Sequence, residues 1–222
     1  MKKKLKWSSL PSSIKQVQHD SLSQIKSKSS ILNAADYALE SAPIASSSPN
    51  FTPVAWVEYY LGGYSSRVQQ QVHHLITTGK VTDYLAKKYP QDHRVKNDHA
   101  LYEYVHTIKQ RYMRKAATIN KVCYDEQLQT VQHALGTHTY VSRVQGQKLK
   151  AKHEIRIASV FKHAPLDLLC MIVVHELAHC KEKQHNKAFY QLCIHMQAKY
   201  HQVELDTRIF LLNRSIKNQK RS

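Results

Sequence analysis

The stretch from Leu166 to Ala178 constrains the fold more than any other part of the sequence, because it is rich in apolar residues and lacks Gly and Pro. A run of this length is too short to cross a membrane, so it predicts a helix buried in the core of a globular domain. The same run carries His175 and Glu176, and His179 follows directly after it. Because polar groups are costly to bury without partners, this helix must do more than pack.

The spacing of these three residues is typical of a metal site. Residues four apart on a helix lie on one face, so the imidazoles of His175 and His179 can converge on one zinc ion. Glu176 points to the side, where it can reach a water on the metal. Zinc lowers the pKa of such a water, and the carboxylate accepts its proton and passes it to the leaving group. The pattern predicts a zinc-dependent hydrolase with one zinc ion per chain and Glu176 as its catalytic base.

A third ligand must come from outside the motif. His185 is the favoured candidate, and Glu182 and Glu204 are the alternatives. A purely structural zinc would need a fourth protein ligand, for which Cys180 is the nearby candidate, but a helical Cys180 points away from the shared metal.

The position of His185 makes a prediction about the backbone. On a straight helix it would lie ~15 Å along the axis from His175 and roughly 80° around it, out of reach of the metal. The helix must therefore end after Cys180, and residues 181–184 must turn back. Asn186 supports this turn, because Asn is a favourable N-cap for a new helix beginning at Lys187.

The remaining segments predict a chain of three parts. Residues 1–52 are rich in Ser and Lys and are predicted to be a disordered basic tail. Residues 53–120 are predicted to be helical and packed on the core, with one helix capped at Ser65 or Ser66 and another capped at Asn97 or Asp98. Residues 121–222 form the predicted hydrolase core.

Within that core, β-branched and alternating residues predict a small sheet, antiparallel or mixed, that packs on the motif helix. The predicted strands lie near Val122 and Tyr124, from Thr137 to Val144 and from His153 to Phe161. The fold class is therefore α+β.

The start of the chain predicts its compartment. Met1-Lys-Lys-Lys-Leu-Lys resembles the basic start of a signal peptide, but Pro11 and several serines follow where an apolar segment should be. We therefore predict an unexported, cytoplasmic protein without a membrane segment, whose four cysteines are thiols.

The charge adds one further expectation. Lys and Arg number 33 against 16 acidic residues, a formal charge of +17. Such an excess suits a nucleotide or nucleic-acid partner as well as an ordinary solvated surface.

The motif and its surroundings resemble a known family. Residues 172–179 read Ile-Val-Val-His-Glu-Leu-Ala-His, and residues 185–190 read His-Asn-Lys-Ala-Phe-Tyr. This pattern is similar to that of the YgjP-like metallopeptidase family. The resemblance implies a zincin-like catalytic core, with His175, His179 and His185 as ligands and Glu176 as catalyst. It extends more loosely back to about Thr137, where this chain keeps Arg143 but lacks the Trp and Cys that many members carry.

Three functions compete at this point. The first is a zinc metallopeptidase acting on a peptide or protein, which could pair with the strand near His153 to Phe161. The second, implied by the resemblance, is a metal-dependent pyrophosphohydrolase of nucleotides such as UTP. The third is a nucleic-acid-associated protease or binding protein. Three residues are candidates for contacting the substrate: Arg143, Arg156 and Tyr190.

Overall fold

The computed structural model describes residues 52–128, 137–145 and 148–220, and for residues 137–145 and 148–152 it describes the backbone alone. The predicted tail therefore lies outside the described residues, apart from Thr52. The elements in chain order are α1 (Pro53–Leu61), α2 (Ser66–Thr77), α3 (Val81–Lys88), α4 (Asp98–Tyr112), β1 (Ile119–Asp125), β2 (Thr137–Gln145), β3 (Lys148–Ala158), a 3-10 helix (Ser159–His163), α5 (Leu166–His179), α6 (Lys187–Met196) and α7 (Tyr200–Gln219). Among the described residues, no helix has the length and apolar character that spanning a membrane would require.

The helices before the sheet begin and end at the residues that the sequence indicates. Ser65 is the N-cap residue of α2, and Gly79 takes the positive φ of 69° in the turn after it. Asn97 caps α4, where its side chain accepts a hydrogen bond from the backbone N–H of Ala100 at 2.9 Å. The Asn97 side chain thus satisfies a backbone donor that has no partner inside the helix, whereas Ser65 makes no side-chain capping bond. The predicted start points of both helices are confirmed.

The sheet is mixed, with strand order β1-β3-β2. β2 and β3 are antiparallel, and β1 lies parallel to β3 on its other side. A purely antiparallel sheet, one of the two predicted alternatives, is therefore wrong. The predicted third strand also ends earlier, at Ala158, and the 3-10 helix takes up residues 159–163. The side chain of Phe161 is buried there, and an alternating pattern cannot distinguish such a turn from a longer strand.

The motif helix α5 is buried along its whole length. Most of its apolar side chains are inaccessible to solvent, among them Leu168, Ile172 and Leu177, and only Leu166 and Cys170 are half-buried. α4, α7 and β3 all pack against it. The segment before α4 also holds its first turn, because the N–H of Leu166 donates to the carbonyl of Gln91 at 3.0 Å. The predicted buried helix is confirmed.

His93 ties that segment to the 3-10 helix and is itself buried. Its Nε2–H donates to the carbonyl of Phe161 at 3.1 Å, and its Nδ1 accepts a hydrogen bond from the N–H of Val95 at 3.2 Å. This pair of bonds requires the neutral ring, since a second proton on Nδ1 would face a backbone donor.

The last helix, α7, is fixed by a buried carboxylate. Asp206 has no exposed surface, and it accepts hydrogen bonds from Tyr84 at 2.8 Å, Tyr89 at 2.5 Å and Gln202 at 3.2 Å. The ammonium of Lys88 lies 2.7 Å away. This shell of donors offsets the desolvation of the charge and joins α3 to α7.

We expect His93 to make stability depend on pH. Burial lowers its pKa below the ordinary value near 6.5, so the unfolded chain binds the proton more readily than the folded chain. The contribution of His93 is fully present above about pH 6.5 and is lost as the pH falls below that value. Urea unfolding between pH 7.5 and 5.5 should show a smaller loss of stability in His93→Gln than in the native sequence. Equal losses in the two proteins would contradict this role.

Asp206→Asn should destabilise the fold by about 3 kcal/mol, because it leaves buried donors facing a neutral amide. This value is at the low end of the range for buried pairs, since the Lys88 side chain is 33% exposed. Urea unfolding measures the change. Asp83→Asn, at an exposed position on α3, is the matched control and should cost less than about 1 kcal/mol. Similar losses in both variants would show that the buried network adds little.

Candidate metal centre

The backbone after the motif turns back as the sequence predicts. α5 ends at His179, and the N–H groups of Lys181 and Glu182 both donate to the carbonyl of Ala178. α6 begins at Lys187, where the side chain of Asn186 accepts a hydrogen bond from the N–H of Phe189 at 2.9 Å. The predicted break between Cys180 and Asn186 is confirmed.

This turn brings three imidazoles to one point. The Nε2 atoms of His175 and His179 lie 3.3 Å apart, those of His175 and His185 3.2 Å apart, and those of His179 and His185 3.1 Å apart. They are the only group of this kind that the described residues form. Three nitrogens in a near-equilateral triangle can bind one cation on a common axis.

The outer nitrogens of two of these rings have partners of their own. His179 Nδ1 lies 3.1 Å from the backbone carbonyl of Glu182, which can only accept, so Nδ1–H donates to it. His175 Nδ1 lies 2.7 Å from the hydroxyl of Tyr200. With its hydrogen on Nδ1, a neutral ring presents a lone pair on Nε2, and partners of this kind orient metal-binding histidines.

Phe189 forms an apolar floor beneath the three rings. Its ring centre lies 5.0 Å from that of His175 and 4.7 Å from those of His179 and His185, and its side chain is fully buried. In these surroundings burial lowers the pKa of His175 well below its ordinary value, with His179 and His185 acting in the same direction. Burial also lowers the pKa of His179, to about 4. The neutral imidazole, the form that binds metals, is therefore favoured at neutral pH.

Glu176 follows His175 on α5 and is almost fully buried, with 2% of its surface exposed. Its Oε2 has no hydrogen-bond partner among the described residues. Burial raises the pKa of this carboxyl well above its ordinary value. A buried carboxyl oxygen without a partner is costly, so this oxygen is a candidate to accept a hydrogen bond from a water or a substrate.

The donor set fits a zinc ion. Zinc–nitrogen bonds of ~2.0–2.1 Å in tetrahedral geometry separate neighbouring ligand atoms by roughly 3.3 Å. The observed separations of 3.1, 3.2 and 3.3 Å are close to that value. Lone pairs at these distances repel one another unless a cation lies between them. Three protein ligands leave the fourth position of a tetrahedral zinc ion open, as in hydrolytic sites.

The other ligand candidates lie outside this group of nitrogens. Glu204 is ion-paired with Arg208, at 3.2 Å. Glu182 contributes its backbone carbonyl to His179. The thiol of Cys180 points back along its own helix, 3.9 Å from the carbonyl of Glu176. The four cysteines are thiols in this structure.

The three candidates for substrate contact occupy different places. The ring of Tyr190 lies 6.4 Å from that of His185, beside the three imidazoles. Arg156 instead pairs with Asp125 at 3.0 Å and with Glu154 at 2.9 Å along the sheet. Arg143 lies within β2, opposite Lys150, and its side chain is outside the described residues.

The sequence did not indicate the roles of two residues at this centre. Phe189 belongs to the segment that carries the family resemblance, so its position was a usable signal. Tyr200 lies 25 residues from His175 in the chain, and no pattern links the two.

Comparison with known proteins adds two findings. The family model described as YgjP-like, metallopeptidase domain matches residues 54–206. A protein of Escherichia coli (strain K12) named UTP pyrophosphatase is 53% identical over 161 residues, which cover 72% of this chain and 96% of that protein. No solved structure matches the chain significantly.

Removing one imidazole should show which residues hold the metal. His185→Ala should weaken zinc binding by about a hundredfold or more, beyond the ~10–100-fold typical of outer partners. His195→Ala, at an exposed position on α6, is the matched control and should bind zinc normally. Chelator competition measures both affinities. Unchanged affinity in His185→Ala together with a loss in Glu204→Gln would show that Glu204 is the third ligand.

Proposed function

Because this chain belongs to the YgjP-like metallopeptidase-domain family of metal-dependent hydrolases, we propose that it hydrolyses UTP to UMP and pyrophosphate. The choice of UTP as substrate rests on the 53% identity with a UTP pyrophosphatase, over 96% of the length of that relative. Substrate contacts depend on the whole core, and this similarity extends well beyond the metal-binding motif.

In this proposal His175, His179 and His185 hold one zinc ion, within a zincin-like core. The ion would supply Lewis acidity, which lowers the pKa of a coordinated water and stabilises negative charge on a phosphate oxygen. The convergence of three nitrogens on one point supports this role, since three protein ligands would leave the fourth position of a tetrahedral ion to water or substrate.

Glu176 is the proposed base. Its unpartnered Oε2 accepts a proton from the attacking water as the water oxygen bonds to the α-phosphorus. The bond from the α-phosphorus to the bridging oxygen then breaks, and pyrophosphate leaves with that oxygen. The protonated carboxyl then gives its proton to the departing pyrophosphate, so each turnover restores the starting state.

The turn that carries His185 suits an anionic substrate. Lys181, Lys183 and Lys187 flank it, and all three are exposed. Tyr190 adds an aromatic ring beside His185 that could contact a base. These features support a nucleotide more than a neutral peptide.

A metallopeptidase is the second candidate. The observation that favours it is the pairing of a helical His-Glu-x-x-His motif with a buried, unpartnered glutamate, which is the arrangement of zinc peptidases. The same Glu176 would then pass the proton to the leaving amine. The nucleic-acid alternative rests on net charge alone and stays a prediction.

Glu176→Gln should lower kcat for UTP by about 10²–10⁴ while zinc content stays at one ion per chain, because the amide cannot accept the proton. Chromatographic separation of UMP and pyrophosphate measures the rate. Glu103→Gln, at an exposed position on α4, is the matched control and should retain full activity.

The same proteins should be tested on a panel of quenched peptides. We expect the native protein to cleave UTP and none of the peptides, and Glu176→Gln to lose the cleavage of UTP. Cleavage of peptides alone would favour the second candidate. Full UTP hydrolysis in Glu176→Gln would overturn the role of Glu176.

A further inference from the structure

We propose that the hydroxyl of Tyr200, fixed by the thiol of Cys193, is a positioning group that holds His175 in the form that binds the cation. This inference rests on the proposed zinc site and adds two residues that the motif does not contain. Tyr200 does not contact the cation in this scheme and acts through His175.

The geometry is that of an oriented outer partner. Tyr200 is the first residue of α7, and its side chain is fully buried. Its hydroxyl lies 2.7 Å from His175 Nδ1, and the two rings are nearly parallel, at 16° and 6.5 Å. A buried hydroxyl at this distance fixes the rotation of the imidazole, and with it the direction of Nε2.

Tyr200 differs from the partner of His179 in one chemical respect. A backbone carbonyl can only accept, so it sets the hydrogen of His179 on Nδ1 without further help. A hydroxyl can donate or accept. If the hydroxyl donated to His175 Nδ1, the hydrogen of a neutral ring would be on Nε2, and that nitrogen could not bind a cation. The direction of this bond therefore decides whether His175 can be a ligand.

Cys193 offers the hydroxyl an acceptor other than His175. Its side chain is fully buried on α6 and hydrogen-bonds with the Tyr200 side chain. When the hydroxyl hydrogen points to the sulfur, the oxygen is left to accept from His175 Nδ1–H. The chain of bonds then runs from His175 to Tyr200 to Cys193, and His175 Nε2 keeps its lone pair for the metal.

The backbone of Tyr200 is held in place from the same helix. Asp206 anchors α7 to α3 less than two turns further along, and the ion pair of Glu204 and Arg208 joins the turns on either side of Asp206. Because α7 is held in place, the Tyr200 hydroxyl cannot move with a displaced ring. It can therefore keep the imidazole in one position.

The test is the zinc affinity of Tyr200→Phe, measured by chelator competition on the full chain. We expect the affinity to fall 10- to 100-fold, the loss typical of removing an outer partner. Tyr60→Phe is the matched control, because the Tyr60 hydroxyl also bonds to α7, to Ser215 at 2.7 Å. Ser215 lies ~22 Å along the helix from Tyr200. The control should lose similar stability and bind zinc normally.

Two further readouts separate positioning from general damage. At saturating zinc, Tyr200→Phe should keep the KM for UTP, since Tyr200 does not contact substrate. Cys193→Ala should weaken zinc binding in the native background but cause no further loss in Tyr200→Phe, because Cys193 acts through Tyr200.

Equal zinc affinities in Tyr200→Phe, Tyr60→Phe and the native sequence would overturn this inference while leaving the zinc site intact. Additive losses from Cys193→Ala and Tyr200→Phe would overturn the part assigned to Cys193. A native protein that binds no zinc would instead refute the proposed function itself.

Discussion

Three imidazole nitrogens within 3.3 Å of one another are the arrangement on which the rest of this structure depends. Two of the rings lie on a helix that is buried along its length, and the third arrives only because that helix ends at His179. Each ring displaces apolar contacts from the core, so its polar atoms need partners. The partners come from a backbone carbonyl, a tyrosine hydroxyl and the shared centre. The turn at residues 180–186 brings in the third ring. Phe189 packs against all three rings, and the start of α7 supplies the hydroxyl.

The features that could be predicted from the sequence are those governed by neighbouring residues. The buried motif helix follows from its composition, and the break before Lys187 follows from the reach of His185 together with the capping preference of Asn186. The features that could not be predicted depend on residues far apart in the chain. The parallel pairing of β1 and β3 is not encoded in the alternation of either strand. Tyr200 carries no local signal of its bond to His175, because α7 reaches the site only through tertiary packing.

Arg156 illustrates a different limit. In the sequence it is one more basic residue near a candidate site, but in the fold it faces Asp125 on the neighbouring strand and Glu154 on its own. Parallel register brings these side chains together, so the pairing could be foreseen only by knowing the direction of β1. Tyr190, by contrast, follows His185 closely in sequence, and the two rings are also close in the structure.

The position of α7 also affects the order in which this centre can be assembled during synthesis. Residues 175–185 leave the ribosome before Tyr200, so all three imidazoles exist in the nascent chain while the hydroxyl beside His175 is still unmade. At typical rates of about 5–20 residues per second, α7 follows within seconds. Until then the first histidine has no oriented tautomer, and α3 lacks the carboxylate that it packs against. Metal uptake and the closing of the fold are therefore expected to coincide once α7 has been synthesised and has docked.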